Sequence, residues 1–507
     1  MPSTRRACFA PFTALVASLL IAPVVFAGSL ASDVATLVRS AKLPGAEISV
    51  SVREVGSGES LVEIRADRPL IPASNMKLLT TGAALAGLGP DFRFRTFMAL
   101  ERGGRTRLVV VGDGDPAFGD PELLASTIRR RPDGSVETGL EVESLLAAWA
   151  DSVADLGLAE IDELVVDDRV FDRDRIPDGW PEDQLNEHYC AEVGGLNFHA
   201  NCLHLSPRPA NGRAVPGDFT PRAPWIEVAN RASARTGSKD RHDAWLAHNP
   251  GDSTGGGSFT LFGNVREPAA SPIRTALRDP ATFFGLLLAD RLRGRGIEVA
   301  SVRLAEPDER LTTDVVVGPV VSTPLATVLD RANADSRNLH AECLFKRLGH
   351  ARTGGSASWR DGADALRSEL AERVDPSLLE GVVFADGSGL SRLNRIRADL
   401  MTAWLDAMHA VPSLREPFLE SLAVARERGT LRKRFRGIDL QGCEVLAKSG
   451  FINGVSCLSG YVVAPSGRTI AFSVLCNGVR SVADAKLLQE KIAARIAEAI
   501  SGSVARR

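Results

Sequence analysis

The chain has 507 residues, enough at about 150 residues per domain for roughly three domains and a large core. Apolar residues make up 44% and charged residues 24%, a balance that excludes a disordered, collagen-like or polytopic membrane chain. Sixty basic against 63 acidic residues leave a net charge of −3, so no global field draws the chain to nucleic acid.

The chain opens on a basic Arg5-Arg6 pair, then runs apolar to Ala27 with Leu15–Ile21 at its centre. Val25-Phe26-Ala27 puts small or modest residues at a cleavage position, the layout of a secretory signal peptide over 1–27. An uncleaved anchor helix is the other reading of that run, against Pro11 and Pro23. The expected location is therefore periplasmic or otherwise extracytoplasmic, free or membrane-associated. An exported chain can form disulfides, and Cys190–Cys202 is the first candidate pair, Cys443–Cys476 the second. Buried free thiols are the other reading for most of the six cysteines beyond the leader, and for Cys343, on a predicted helix, at least as good a one. No Cys-x-x-Cys or His-x-x-x-His spacing occurs, so no metal and no other cofactor is expected.

Ile48, Val50 and Val52 alternate, Gly56-Ser57-Gly58 turns the chain, and Leu61, Val62 and Ile64 return, which predicts a hairpin. Pro72-Ala73-Ser74 precedes a helix over Met76–Leu88 that stops at glycine. Residues 106–275 differ in texture. Pro, Gly and Asp separate short strands at Leu108–Val111, Leu164–Val166 and Phe259–Phe262, with helical stretches near Leu123–Arg130 and Val142–Leu156. Helices resume at Pro280–Gly296, Leu325–Ala334 and Asn338–Leu348. A second hairpin joins Leu458–Ala464 to Thr469–Cys476, and Leu488, Ile492, Ile496 and Ile500 give the last helix one apolar face. Strands near both ends with helices between them predict an α+β domain closed by its termini, with one or two inserted, mainly β modules. The expected division is 1–27 leader, 28–100 first part of the core, 101–275 insert and 276–507 second part of the core.

Three short motifs carry chemistry. Ser74-Asn75-Met76-Lys77 puts a hydroxyl and an amine three residues apart at a helix start, on one face. A serine needs a base to become a nucleophile, and lysine can serve where burial lowers its pKa, whereas arginine cannot. Only eight of the 60 basic residues are lysine, so lysine here is informative. A capping serine beside a solvated lysine accounts for the same four residues. Ser336-Arg337-Asn338 lies in a loop between helices, where it could relay a proton and hold a carbonyl, or simply cap a helix. Lys448-Ser449-Gly450, on a predicted strand, suits a substrate carboxylate approaching close to the backbone, or is a strand-edge lysine.

Each motif occurs once, in the order Ser-x-x-Lys, Ser-x-Asn, Lys-Ser/Thr-Gly, the signature of serine β-lactamases and penicillin-binding proteins. The sequence resembles that superfamily, and within it the class C low-molecular-mass penicillin-binding proteins, the D-alanyl-D-alanine carboxypeptidase/endopeptidases. Further matching stretches are Gly112-Asp113-Gly114-Asp115-Pro116, Gly179-Trp180-Pro181, Asn338–Glu342, Asp386–Arg392, Gly429-Thr430-Leu431 and Gly454-Val455-Ser456. The resemblance implies a β-lactamase/DD-peptidase-like transpeptidase core, an antiparallel sheet flanked by helices plus a helical subdomain. It implies Ser74 as acylated nucleophile, Lys77 as its base and Ser336 as proton relay to the leaving D-alanine. Asn338 would bind the peptide carbonyl, Lys448 would keep the cleft positive, and Ser449 would help hold the terminal carboxylate, with Gly450 giving the substrate room against the strand. Backbone N–H groups of Ser74 and Phe451 would form the oxyanion hole. The implied partners are peptidoglycan stem peptides, with β-lactams as covalent inhibitors. Three positions depart from the family pattern: Ser449 stands for threonine, Arg337 stands mid-motif, and Gln184, beside Asp183, stands where an acidic residue would hold a side-chain amine. Arg392 would border that amine pocket or form a structural ion pair. A β-lactamase or esterase on the same core, and a non-catalytic cell-wall-binding scaffold, are the alternatives.

Overall fold

The computed structural model describes residues 21–130, 136–237, 239–249, 257–268 and 271–501. Residues 1–20 of the expected leader lie outside the described residues, and Ile21–Ser40 forms a helix. Among the described residues no helix is long and apolar enough to cross a membrane.

A six-stranded antiparallel sheet runs in the order Ala423–Val424, Glu444–Ile452, Val455–Val463, Thr469–Asn477, Glu47–Glu54, Ser60–Ile64. The first long strand therefore pairs with the last, Val50 opposite Val474, and the termini close the domain as the alternation at both ends predicts. Alternate side chains serve opposite faces. Leu458, Val462, Ile470 and Phe472 face the helices Ile21–Ser40 and Val482–Ser501, the latter through Leu488, Ile492, Ile496 and Ile500. Cys457, Tyr461, Ala471 and Leu475 face a helical subdomain built from Met76–Leu88, Leu325–Asn333, Asn338–Thr353, Trp359–Ala371 and Ala398–Ala410. Gly82 lets two of these helices close: a Cβ there would lie 2.7 Å from Trp404 Nε1, and that indole donates to Leu78 O at 3.1 Å.

The second body is a five-stranded sheet in the order Glu298–Leu304, Glu160–Asp167, Thr106–Val111, Arg93–Arg102, Val316–Pro324. Helices Val142–Ala154 and Pro280–Arg293 cover it around a ring cluster of Phe118, Trp149, Phe198 and Phe284. Short strands complete it, among them Cys202–Leu205 between Phe219–Thr220 and Ile273–Ala276. This body reaches beyond 101–275 on both sides. Its strands Glu298–Leu304 and Glu160–Asp167 are parallel, and a parallel pair needs a long crossover that includes the helix at 280–293. On sequence that helix looks like the start of the next domain.

Two local expectations are corrected. The helix near 123–130 is shorter: Asp120 caps it, Pro121 starts it, and the chain turns into a strand at Ile128–Arg130. Neither disulfide exists, and all six cysteines among the described residues are buried free thiols. Cys190 ends a one-turn helix while Cys202 opens a strand, its thiol 3.9 Å from His188 O. The strand Val455–Val463 separates Cys476 from the strand that follows Cys443, whose thiol meets Ser501 Oγ at 3.2 Å. Burial pushes the Cys190, Cys202 and Cys476 thiols up to about 12, which keeps them unreactive.

Candidate active site

Ser74 lies in the turn Ala73–Asn75 that leads into the helix Met76–Leu88. Ala73 sits at φ +46°, a backbone region that side-chain-bearing residues rarely adopt, so its surroundings must hold it there. Gly389 supports it from one side. At φ +83°, a Cβ at Gly389 would lie 1.8 Å from the Ala73 carbonyl oxygen. Gly450 supports the turn from the other, where a Cβ would lie 2.9 Å from Pro72 O and 3.0 Å from Ser74 N. Asn75 Nδ2 donates to Lys448 O at 2.6 Å. The turn is thus clamped between the Asp386–Arg392 loop and the strand Glu444–Ile452.

The helix is buried from Met76 to Leu85, Lys77 included. Lys77 Nζ lies 3.1 Å from Ser74 Oγ, 2.7 Å from Asn338 Oδ1 and 2.8 Å from Ser388 O. Burial lowers its pKa to about 8, opposed by the Glu342 and Asp386 carboxylates. As an ammonium it donates to all three oxygens; as a neutral amine it keeps two N–H groups and one lone pair. Asn338 Oδ1 and Ser388 O can only accept, so they take both protons, and the lone pair is left for the Ser74 hydroxyl.

Two buried carboxylates shape the loop that carries Ser388. Glu342 accepts from Gly387 N at 2.7 Å and Ser388 N at 2.9 Å. Asp386 accepts from Gly389 N, Ser391 N, Trp180 Nε1 and Asn394 Nδ2. Burial first, and then Asp386, raises the Glu342 pKa to about 8.

Ser336 sits at φ +62° in the loop between two helices, and its Oγ lies 2.9 Å from Lys448 Nζ. The same Nζ also donates to Ser449 O at 2.8 Å. Lys448 is buried, and its pKa falls well below the usual lysine range, from burial first and then from the charge of Lys77. The Ser449 and Thr430 hydroxyls are 3.0 Å apart. Asn338 Nδ2 donates to Tyr189 O at 2.9 Å and keeps a second N–H. A cavity of about 650 Å³ opens beside these groups, lined by Ser74, Gln184, Tyr189, Asn338, Arg392 and Phe451 among others.

The three motifs therefore meet around Ser74: Ser74, Asn338 and Phe451 line the cavity, Lys77 contacts Ser74 and Asn338, Gly450 backs the Ser74 turn, and Lys448, next to Ser449, contacts Ser336 and is tied to that turn through Asn75. Arg392 is on its rim, exposed, donating to Asn453 O at 2.8 Å rather than pairing with a carboxylate. Gln184 lines the cavity and accepts from Tyr189 OH at 3.0 Å, while Asp183 is not among the lining residues. Arg337 turns away to Glu122 at 2.5 Å. Sequence reasoning missed Asn75, Glu342, Asp386 and the Ser388 carbonyl. The usable signal was Asp386-Gly387-Ser388-Gly389, whose two glycines mark close backbone approach.

Residues 30–499 match the profile of the D-Ala-D-Ala carboxypeptidase 3 (S13) family. A D-alanyl-D-alanine carboxypeptidase of Actinomadura sp. (strain R39) is 32% identical over 92% of this chain and 84% of its own. The D-alanyl-D-alanine carboxypeptidase DacB of Haemophilus influenzae is 23% identical over 86% of this chain and 87% of its own. The crystal structure of penicillin binding protein 4 from Haemophilus influenzae shares the fold, with a TM-score of 0.73 at 20% identity, covering 92% of this chain and 99% of that one.

The Gly389 contact is testable. Gly389→Ala forces a methyl against the Ala73 carbonyl at an unfavourable φ, which is expected to cost on the order of 1–3 kcal/mol and to move Ser74 off Lys77. Thermal denaturation should show a lower midpoint. An unchanged midpoint together with unchanged Ser74 reactivity contradicts the clamp.

Proposed function

The chain belongs to the D-Ala-D-Ala carboxypeptidase 3 (S13) family, and from that premise we propose that Ser74 is the nucleophile of a serine peptidase that acts on peptidoglycan stem peptides. One observation carries this reading: the Ser74 hydroxyl faces a buried amine, 3.1 Å away, whose other two partners are carbonyl oxygens.

Ser74 Oγ attacks the carbonyl carbon of the penultimate D-alanine as its proton passes to Lys77 Nζ. The C–N bond breaks, the leaving amine takes a proton through Ser336 and Lys448, which are 2.9 Å apart, and an ester on Ser74 remains. Water then attacks the ester carbon and gives its proton back through Ser336 to Lys448, the C–Oγ bond breaks, and Ser74 recovers its proton from Lys77. The backbone N–H groups of Ser74 and Phe451 are assigned to the developing oxyanion, where such donors contribute about 3 kcal/mol each. Asn338, with its spare N–H on the cavity side, holds the peptide carbonyl. Ser449 and Thr430 receive the terminal carboxylate, and that anion favours the charged form of Lys448 beside it. A β-lactam acylates the same serine through its ring amide. Cross-linked peptides are cleaved by the same steps when the leaving amine belongs to a second stem. Arg5-Arg6 and the apolar run behind them support action outside the cytoplasm.

A fluorescent penicillin should label the chain durably and Ser74→Ala should not label; equal labelling of the variant refutes the nucleophile, and rapid loss of label points to a β-lactamase. Acylation requires neutral Lys77, so kcat/KM should climb with rising pH and level off above about 8, the ammonium form being inactive below. A flat profile through that region removes Lys77 as base. Lys77→Arg should lower kcat/KM on the order of 10²–10⁴-fold, because a guanidinium does not deprotonate. N-terminal sequencing of protein from the extracytoplasmic fraction should begin near Gly28; protein with an intact Met1 confined to the cytoplasm contradicts export.

A further inference from the structure

A second cavity, of about 440 Å³, adjoins the cleft on the carboxylate side and is lined by Ser449, Gly450, Phe451 and Thr430 on its inner wall. Its outer wall is Lys433, Arg434, Arg436, Lys486 and Glu490. We infer that this basic cavity receives the leaving half of a cross-linked peptide, so that the enzyme favours leaving groups bearing several carboxylates over free D-alanine. The inference rests on the proposed function and names its substrate class.

The charge is concentrated there by the sequence. Arg428, Arg432, Lys433, Arg434 and Arg436 fall within nine residues that contain no acid, in a chain whose overall charge is −3. Two of the eight lysines, Lys433 and Lys486, line this one cavity. The fold then separates structural from available charge. Arg434 is buried and anchors the segment to the last helix, with its Nε 2.8 Å from Glu490 Oε1 and its Nη2 3.1 Å from both Gln489 Oε1 and Lys486 O. That pairing uses the cavity's one carboxylate. Lys433, Arg436 and Lys486 are exposed, and among the described residues none of them forms an ion pair.

Position supplies the direction. Phe451 lines both cavities, so they lie on either side of it along the strand Glu444–Ile452. With the acyl half of the substrate beside Tyr189 and Arg392, the leaving residue's carboxylate at Ser449 and Thr430 stands at the mouth of the basic cavity. Free D-alanine ends there in a methyl group. A leaving residue with a longer side chain continues outward, and its further carboxylates meet three unpaired cations.

The test compares two synthetic substrates with one acyl half. One releases D-alanine; the other releases a residue whose side chain carries two more carboxylates. The full chain is assayed beside the variant Lys433→Gln/Arg436→Gln/Lys486→Gln. The wild type should prefer the polycarboxylate substrate, and high salt should erase the preference. The variant should lower the ratio of the two kcat/KM values at least about fivefold, the scale of a few exposed ion pairs, while D-alanine release stays within about twofold. An unchanged ratio, or an equal fall in both rates, overturns the inference while D-alanine release still upholds the proposed function. Absence of release from both substrates by the wild type sinks the proposed function itself. If the variant loses binding to a polyphosphate probe with the ratio unchanged, the cavity serves a phosphodiester polymer and the inference fails.

Discussion

Removing the Lys77 amine from water is the constraint around which the site is organised. A charged ammonium in that position would give up its hydration, and burial lowers its pKa to about 8 instead. Two carbonyl oxygens from distant segments, Asn338 Oδ1 and Ser388 O, then take two N–H groups, so that loss of the third proton leaves a lone pair facing Ser74. Neither carbonyl is placed by its own local structure. Asn338 is held through Tyr189 O, and the Ser388 carbonyl through Glu342 and Asp386, which bind the backbone N–H groups of its loop.

That arrangement explains why glycines and strained residues gather near the cleft. Ala73 and Ser336 both hold a positive φ, a conformation that costs of order 1–3 kcal/mol each and persists only where the surroundings over-determine it. Gly389 and Gly450 let two backbones come within contact of the Ala73–Asn75 turn, and Asn75 ties it to the strand. The strand in turn is fixed by the sheet, whose centre is covered on both faces by helices from the two ends of the chain and from its middle. Stability and function are joined here, since the same close contacts pack the domain and set the distance from hydroxyl to amine.

The second body touches the chemistry at its edge. Its Tyr189 O orients Asn338, and its Glu122 draws Arg337 out of the cleft. A cation mid-motif therefore adds no charge beside Lys77 and Lys448, two amines that already oppose one another's protonation. Positive charge is instead set outside, past Ser449, where solvent moderates it.

The sequence alone was enough for the hairpins, the helix Met76–Leu88, the closure by both termini and the three motifs, because these rest on periodicity, on punctuation by proline and glycine, and on spacings of three residues or fewer. It also singled out lysine in a chain rich in arginine, and that choice is a matter of chemistry rather than of packing. It misjudged the disulfides and the extent of the second body, since strand pairing and the reach of a parallel crossover are long-range facts with no local trace. Only the tertiary structure decided that Lys77 is dry, that its partners are carbonyls from residues 338 and 388, that Arg337 faces away and that Lys448 meets Ser336. The physical reason is common to all four: desolvation and hydrogen-bond direction depend on which segments crowd a side chain in space, and those segments lie more than a hundred residues apart along the chain.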